Sequence, residues 1–238
     1  MRLEDLTIAI YADGADIEAM KAEYAKGIVK GFTTNPTLMK KAGVADYRSF
    51  AAQAVKAIPD LPISFEVFAD DFETMAKEAR VLADLGPNVY VKIPVTNTKG
   101  EKSTELVRRL SAEGLQLNVT AIFTIPQTKE IIEAFTPGTK NIVSLFAGRI
   151  TNAGVDAEPI MKEAASLAHE KPGTQTLWAS SRELFNIIQA DRCGVDIITV
   201  TNNLLAQLPT LGKSLEEYSL ETVKMFYNDG KALGYQIL

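Results

Sequence analysis

A lysine and two carboxylic acids lie in strand-like segments in which every second residue is apolar. In residues 89–94, VYVKIP, Lys92 stands between two β-branched residues. Successive side chains of a strand point to opposite faces, so a strand whose apolar face packs on helices directs Lys92 to the other face. The same alternation directs Glu66 and Asp13 away from the apolar face of their own segments. In a barrel, all of these groups would meet in one interior.

These ionisable residues suggest carbonyl chemistry. A lysine buried among aliphatic residues is costly to keep charged, so we expect a lowered pKa for Lys92 and a neutral amine that attacks a carbonyl carbon. Glu66 and Asp13 are candidates for the accompanying proton transfers. The alternative is structural: the Lys92 ammonium would only form an ion pair with Glu66 or Asp13, and Asp13 would cap a helix that begins near residue 14.

Uncharged polar residues take inward positions in further strands. Alternation directs Asn118 and Thr120 inward in the fifth strand, and Ser144 with Phe146 in the sixth. A barrel interior built only for stability would hold branched apolar residues at such positions. The sequence therefore predicts a polar pocket.

Further candidates follow the strands. Thr33 and Asn35 belong to a turn with the sequence TTNP after the second strand, which could also serve only to cap the next helix. Arg149 follows the sixth strand, and Ser180 and Arg182 follow the seventh. Loops at this face of a barrel commonly bind phosphate, so these residues predict a site for an acid group.

Strand-like runs alternate with helical segments along the whole chain. The eight strand candidates are Ile8–Asp13, Gly31–Asn35, Ile63–Phe68, Val89–Val95, Leu117–Thr124, Asn141–Ala147, Thr174–Ser180 and Val195–Val200. The helical segments include Ala15–Lys26, Asp71–Leu85, Ser103–Ala112, Asp156–His169 and Arg182–Asp191. Eight such units predict a parallel (β/α)8 barrel of the TIM type, with an open doubly wound sheet as the alternative. We predict one domain over residues 1–238, with an additional C-terminal helix at about 215–234.

Composition argues against several classes of protein. A net charge of −5 provides no basic surface for nucleic acid, and the acidic N-terminus does not resemble a secretory signal. No run approaches the roughly 20 apolar residues of a membrane helix. One cysteine, Cys193, fits a reducing compartment and a cytoplasmic location, and together with the one histidine, His169, it cannot form a conventional zinc site. No nucleotide-binding glycine pattern follows a strand, so we expect neither a metal nor a cofactor.

Several motifs, in the same order, resemble those of the transaldolase family, which includes the fructose-6-phosphate aldolases. These motifs are IYAD at 10–13, GFTTNPT at 31–37, VKIPVT at 91–96, NVT at 118–120, SLFAGRI at 144–150 and ASSR at 179–182. They extend over almost the whole chain. The resemblance implies an (α/β)8 barrel with a Schiff-base lysine on the fourth strand, which is Lys92.

The resemblance also implies roles for the other candidates. Asp13 would handle the proton of the hydroxyl next to the carbon–carbon bond that breaks. Glu66, through a water held with Thr120, would assist the formation and dehydration of a carbinolamine. A three-carbon dihydroxyacetone unit would be held by Asn35, Asn118 and Ser144. The acid group of the sugar would be held by Arg149, Ser180 and Arg182.

Two positions favour transfer over simple cleavage. Aldolases that resemble this family carry glutamine where this chain has Glu66, and tyrosine where it has Phe146. The resemblance therefore implies a transaldolase of the pentose phosphate type, with a ketose such as fructose 6-phosphate or sedoheptulose 7-phosphate as the donor. An aldolase that cleaves fructose 6-phosphate and a transaldolase for a sulfonated fructose stay open, because Trp178 lies close to the acid-group motif.

Two other kinds of protein also stay open. A pyridoxal-phosphate barrel would use the strand lysine to hold its cofactor, and a non-catalytic sugar-phosphate binder would keep the pocket without the reaction. Short-chain members of the family tend to form rings through the C-terminal helix. The resemblance thus implies a homo-oligomer in which residues 215–234 lie at an interface.

Overall fold

The computed structural model of the protein describes residues 2–235 and 237, and it shows a closed barrel of eight parallel strands in chain order. The strands are β1 (Ala9–Asp13), β2 (Gly31–Thr33), β3 (Ile63–Glu66), β4 (Val89–Pro94), β5 (Leu117–Ile122), β6 (Asn141–Leu145), β7 (Thr174–Trp178) and β8 (Ile197–Thr201). Pairing of β1 with β8 along the whole of β1 closes the barrel. The predicted (β/α)8 barrel is confirmed, and the open sheet is excluded.

Helices connect every consecutive pair of strands, and two further helices follow β8. They are α1 (Ile17–Lys26), α2 (Pro36–Ala42), α3 (Tyr47–Ala57), α4 (Phe72–Ala83), α5 (Thr104–Ala112), α6 (Ile125–Ala134), α7 (Ala147–Asn152), α8 (Ala157–His169), α9 (Phe185–Arg192), α10 (Asn202–Leu205) and α11 (Leu215–Leu233). Two helices separate β2 from β3, and two separate β6 from β7. The second of these pairs places the short α7 directly after β6, next to the loop that follows β7.

Several strands end earlier than the sequence predicted, because their last predicted residues begin helices instead. Asn35 was expected inside β2, but its Oδ1 accepts a hydrogen bond from the backbone N–H of Leu38 at 3.0 Å and caps α2. Thr124 was expected inside β5, but it caps α6 by accepting from the Gln127 backbone N–H at 3.3 Å. Threonine and asparagine are favoured at this position because their oxygens satisfy an otherwise unpaired N–H. The βα loops are therefore short at the carboxyl ends of these strands.

Two apolar layers follow from the predicted alternation. Phe65, Val91 and Ile93 are fully buried between the strands and the surrounding helices. A separate cluster inside the barrel includes Ile142 and Ile197, which lie near the amino ends of their strands. The polar cavity lies beyond this cluster, at the carboxyl ends of the strands, where barrel proteins bind their ligands.

An irregularity in β5 breaks the alternation that the sequence suggests. Ala121 has a φ of 59°, and the pairing of β5 with β6 shifts register between Val119 and Ile122. Strict alternation would direct Ile122 into the interior, but it is fully buried in the outer apolar layer. The bulge therefore returns Ile122 to the apolar layer after Thr120 has faced inward.

The C-terminal helix α11 differs from the other long helices in its surroundings. None of its residues is buried, although it carries Val223, Phe226 and Tyr227, each more than half exposed. Ser214 caps its start, and Gly234 ends it in a left-handed conformation. Among residues 2–235 and 237, no helix is both long and apolar enough to cross a membrane.

Candidate active site

A cavity of about 370 Å³ opens at the carboxyl ends of the strands. Its wall contains every residue predicted for the site: Asp13, Thr33, Asn35, Glu66, Lys92, Asn118, Thr120, Ser144, Phe146, Arg149, Ser180 and Arg182. Strand register brings the deepest of these together, because Lys92 is paired with Glu66 on one side and with Asn118 on the other. The sequence analysis thus identified residues that the fold collects in one place.

Lys92 lies at the floor of this cavity with 7% of its surface exposed. Its Nζ donates to the backbone oxygen of Thr34 at 2.9 Å and lies 3.1 Å from Glu66 Oε2. The ion pair that the sequence analysis raised as an alternative is therefore present. It does not exclude a nucleophilic role, because the carboxylate next to Nζ is also a base that can take its proton.

Asp13 is held by hydrogen-bond donors from the neighbouring strand and turn. Thr33 Oγ1 donates to Asp13 Oδ1 at 2.9 Å, and Asn35 Nδ2 lies 3.3 Å from Oδ2. Burial raises the pKa of the Asp13 carboxyl, and the positive charge of Lys92 and these two hydrogen bonds partly oppose that rise. The alternative role as a helix cap is wrong, because Asp16 caps α1 by accepting from the backbone N–H of residue 19 at 2.7 Å.

Thr120 lies in the same cavity with its hydroxyl buried. Among the described residues, its Oγ1 has no hydrogen-bond partner. A buried hydroxyl is normally paired, so an unpaired one in a polar cavity suits a water or a ligand atom. This observation fits the water-holding role that the resemblance implies.

Asn118 links two strands through a directed chain of hydrogen bonds. Its Nδ2 donates to Ser64 Oγ at 3.0 Å, and its Oδ1 accepts from Ser144 Oγ at 2.6 Å. Because the Ser144 hydroxyl donates to Asn118, its oxygen is left to accept a hydrogen bond from a ligand. One N–H of the Asn118 amide remains to donate to a ligand oxygen.

The mouth of the cavity carries positive charge. Arg149 and Arg182 are both exposed there, and the Arg149 guanidinium lies 5.5 Å from the centre of the Phe146 ring. Within the described part of the chain, neither arginine has a carboxylate within 4.0 Å. Ser180 also lines the cavity, and its backbone is in the left-handed region with a φ of 65°. Such an arrangement suits an anionic group on a ligand.

Among the residues of the wall that the sequence analysis missed are Thr199, Thr201 and Leu177. Thr199 Oγ1 lies 2.5 Å from Thr33 Oγ1, and Ser181 Oγ donates to the Thr199 backbone oxygen at 2.7 Å. Thr201 and Leu177 also line the cavity. Alternation within β8, which directs Ile198 and Val200 outward, was the signal that would have found both threonines.

Three other residues lie outside the site. Trp178 is 1% exposed and packs in the outer apolar layer, so it does not contact the acid-group end of the cavity. His169 ends α8 and lies 3.0 Å from Asp196. Burial raises the pKa of the Cys193 thiol to about 11, which agrees with a cysteine that lacks an activating partner.

The fold and this cavity define a class of protein, a TIM barrel with a buried lysine and paired acids at the carboxyl ends of its strands. The family profile described as "Transaldolase/Fructose-6-phosphate aldolase" matches residues 10–237. The chain belongs to this family.

Curated relatives agree with this assignment. The chain is 36% identical over 200 residues to a "Probable transaldolase" of Dehalococcoides mccartyi, a match covering 84% of this chain and 89% of the relative. It is 36% identical over 201 residues to a protein of the same description from Caldicellulosiruptor saccharolyticus, covering 84% and 88%. A third, from Methanococcus maripaludis, is 35% identical over 212 residues, covering 87% and 94%.

Proposed function

We propose that the protein is a transaldolase that transfers a dihydroxyacetone unit from a ketose to an aldehyde through a Schiff base on Lys92. The observation that carries this proposal is the buried Nζ of Lys92, 3.1 Å from the Glu66 carboxylate, in one polar cavity with the hydrogen-bonded carboxyl of Asp13. Membership of the family and the descriptions of the relatives support the same reaction.

The first stage joins the donor to the protein. Glu66 accepts a proton from the Lys92 ammonium, and the free amine attacks C2 of the ketose to form a C–N bond. The attacking nitrogen gives up a proton to the former carbonyl oxygen, which becomes the hydroxyl of a carbinolamine. That hydroxyl leaves as water when it receives a second proton from Glu66, through a water held with Thr120, and an iminium remains on Lys92.

The second stage moves the three-carbon unit. Asp13 accepts the proton of the C4 hydroxyl, the C3–C4 bond breaks, and its electron pair flows into the iminium to give an enamine. The released aldehyde is replaced by an acceptor aldehyde, whose carbonyl carbon the enamine attacks, and Asp13 returns its proton to the new alkoxide. Hydrolysis of the iminium by water frees the new ketose and Lys92.

Substrate recognition divides the cavity into two parts. Asn118 and Ser144 supply one donor and one acceptor, which together suit a free hydroxyl of the dihydroxyacetone unit. Asn35 adds the amide next to Asp13. Arg149 and Arg182, with Ser180, hold the acid group of a ketose such as fructose 6-phosphate or sedoheptulose 7-phosphate. A sulfonated fructose presents the same kind of anion at the same end.

Borohydride trapping tests the Schiff base. With fructose 6-phosphate and borohydride, a three-carbon adduct is expected on the peptide that contains Lys92, measured by mass spectrometry. Lys92→Ala is expected to abolish the adduct, whereas Lys140→Ala, at an exposed lysine, should leave it unchanged. An active wild-type protein that is never labelled at Lys92 would disprove the mechanism. A non-catalytic binder would retain the ketose without forming the adduct.

Product analysis separates transfer from cleavage. We expect fast conversion when an acceptor aldehyde is present and slow release of free dihydroxyacetone without it. Glu66→Gln should slow turnover, since the amide cannot accept the proton of Lys92, and should raise the share of free dihydroxyacetone. Equal rates with and without the acceptor would favour the aldolase alternative.

We also propose a homo-oligomer assembled through α11 as part of this function. The exposed apolar residues of α11 support an interface in which a second copy of the chain packs against this helix. One domain over residues 1–238 and a cytoplasmic location belong to the same proposal, the latter supported by the single cysteine.

A further inference from the structure

Helix α7 forms a surface against which the side chain of Arg182 lies. A Cβ atom at Gly148 would come within 1.7 Å of the Ser180 backbone oxygen and 3.1 Å of Arg182 Cγ, so only glycine leaves room here. Gly148 and Asn152 are four residues apart and therefore share one face of α7. The stem of Arg182 passes over Gly148, and its guanidinium reaches Asn152.

Asn152 contacts that guanidinium directly. The Asn152 amide is assigned the orientation in which its nitrogen faces an acceptor and its oxygen faces a donor. In that orientation Nδ2 donates to the Gly148 backbone oxygen at 3.1 Å, and Oδ1 accepts from Arg182 Nη2 at 3.2 Å. The backbone of Arg182 is held separately, because its N–H donates to Asn186 Oδ1 at 2.7 Å. Both ends of this arginine are thus fixed by amide side chains.

The neutrality of these partners distinguishes Arg182 from Arg80 and Arg109. Arg80 lies 2.7 Å from Glu113, and Arg109 lies 2.9 Å from Glu73, so a carboxylate offsets each charge. In the region that the structure describes, Arg182 has no such carboxylate. An amide oxygen accepts the same hydrogen bond as a carboxylate but leaves the positive charge available to an anionic ligand.

We propose that Asn152 is a positioning residue for acid-group recognition, which orients Arg182 toward the substrate without neutralising it. This inference rests on the proposed function and deepens it. It assigns a specificity role to a residue that does not line the cavity itself. A carboxylate at this position would compete with the acid group of the substrate for the same guanidinium.

Two variants of Asn152 and one matched control test the proposal. Asn152→Asp keeps the shape and adds a negative charge, and Asn152→Leu removes the acceptor. Thr151→Ala is the control, because Thr151 Oγ1 donates to the same Gly148 oxygen at 3.0 Å and not to Arg182. The donors are fructose 6-phosphate, its sulfonated counterpart and neutral fructose, and half-saturating concentrations are measured by borohydride trapping at Lys92 and by turnover.

Asn152→Asp should raise the half-saturating concentration of both acidic donors by about tenfold, since a new ion pair offsets one of two guanidinium charges. Asn152→Leu should raise this half-saturating concentration by roughly threefold, and Thr151→Ala should leave it unchanged. The maximal rate and the half-saturating concentration of neutral fructose should stay the same. The acidic donor with the lower wild-type value identifies phosphate or sulfonate as the natural group.

Other outcomes overturn the inference. An Asn152→Asp protein that binds acidic donors as well as wild type contradicts it. An equal loss for acidic and neutral donors, with a lower melting temperature, assigns Asn152 a purely structural role. A wild-type protein that is trapped by no ketose disproves the proposed function instead, and the inference falls with it.

Discussion

Opposing electrostatic effects act on the pKa of the Asp13 carboxyl. Burial disfavours its charged form, whereas Lys92, Thr33 and Asn35 favour that form, and the pKa is raised on balance. A group with a raised pKa stays protonated to higher pH than an ordinary aspartic acid. Since Asp13 must be ionised to accept the C4 hydroxyl proton, activity should fall as the pH decreases through this raised pKa.

The fall of activity at low pH forms the acid limb of the pH profile. Removing the hydroxyl that donates to Asp13 should move this limb. Thr33→Val eliminates a hydrogen bond that lowers the pKa, so the pKa should rise further and the acid limb of kcat/KM should shift to higher pH. The measurement is kcat/KM for fructose 6-phosphate against pH. Thr33→Ser keeps a hydroxyl and is expected to retain the wild-type profile. A limb that stays in place in Thr33→Val would show that Thr33 does not influence Asp13.

Cys193 should be almost inert in the folded protein. Burial and the nearby carboxylate of Glu158 raise the pKa of its thiol to about 11, so at pH 8 the thiolate fraction is on the order of one in a thousand. Iodoacetamide at pH 8 is expected to label the native protein slowly and the urea-unfolded protein quickly, as followed by mass spectrometry. Equal labelling rates in the two states would contradict this assignment.

At the scale of elements, the contact between α7 and the loop after β7 shapes the acid-group end of the cavity. Gly148 allows the Ser180 carbonyl to approach the helix, and Ser180 adopts a left-handed conformation in the same loop. A non-glycine residue in this conformation costs roughly 1 kcal/mol or more. The loop is therefore placed by packing against α7 rather than by its own preference.

Two glycine-to-alanine variants should have opposite effects for this reason. Gly148→Ala places a Cβ within 1.7 Å of the Ser180 oxygen, so the loop must move, and we expect weaker binding of acidic donors and a loss of about 2 kcal/mol of stability. Gly230→Ala in α11 meets no atom within 4 Å and should add up to about 1 kcal/mol of helix stability. Urea unfolding and donor saturation curves measure both effects. A neutral Gly148→Ala variant would refute the proposed contact.

At the scale of the whole molecule, α11 lies on the surface with none of its residues buried. A chain that ends at Lys213 should lose the assembly, because it lacks every exposed apolar residue of the helix, including Val223 and Phe226. Light scattering should then give the mass of one chain, and trapping at Lys92 should persist. Unchanged mass after truncation would contradict an interface at α11.

A point variant gives a milder version of the same test. Phe226→Asp places a charge among the exposed apolar residues and should weaken the assembly, whereas Lys224→Asp changes charge on the same helix without removing apolar surface. Light scattering at several protein concentrations measures the shift. Equal effects of the two variants would indicate that charge, and not apolar contact, controls assembly.

Local patterns in the chain were sufficient to predict the barrel. They were also sufficient to predict that the side chains of Lys92, Glu66 and Asp13 point inward. Alternation of apolar residues is a property of consecutive positions, so it can be read without knowing what lies opposite. The predicted ends of the strands were less accurate, because asparagine and threonine at positions 35 and 124 suit a strand as well as a helix cap. Local sequence does not separate these two roles.

The contacts that define the chemistry depend on residues far apart in the chain. Nothing near Lys92 indicates that its Nζ contacts Thr34 O, that Trp178 packs outside the barrel, or that Asn152 meets Arg182. These pairings follow from the stagger of the closed barrel, the bulge in β5 and the placement of α7 against a neighbouring loop. Such distances are set by packing among all the elements together, whereas strand alternation needs only neighbouring residues.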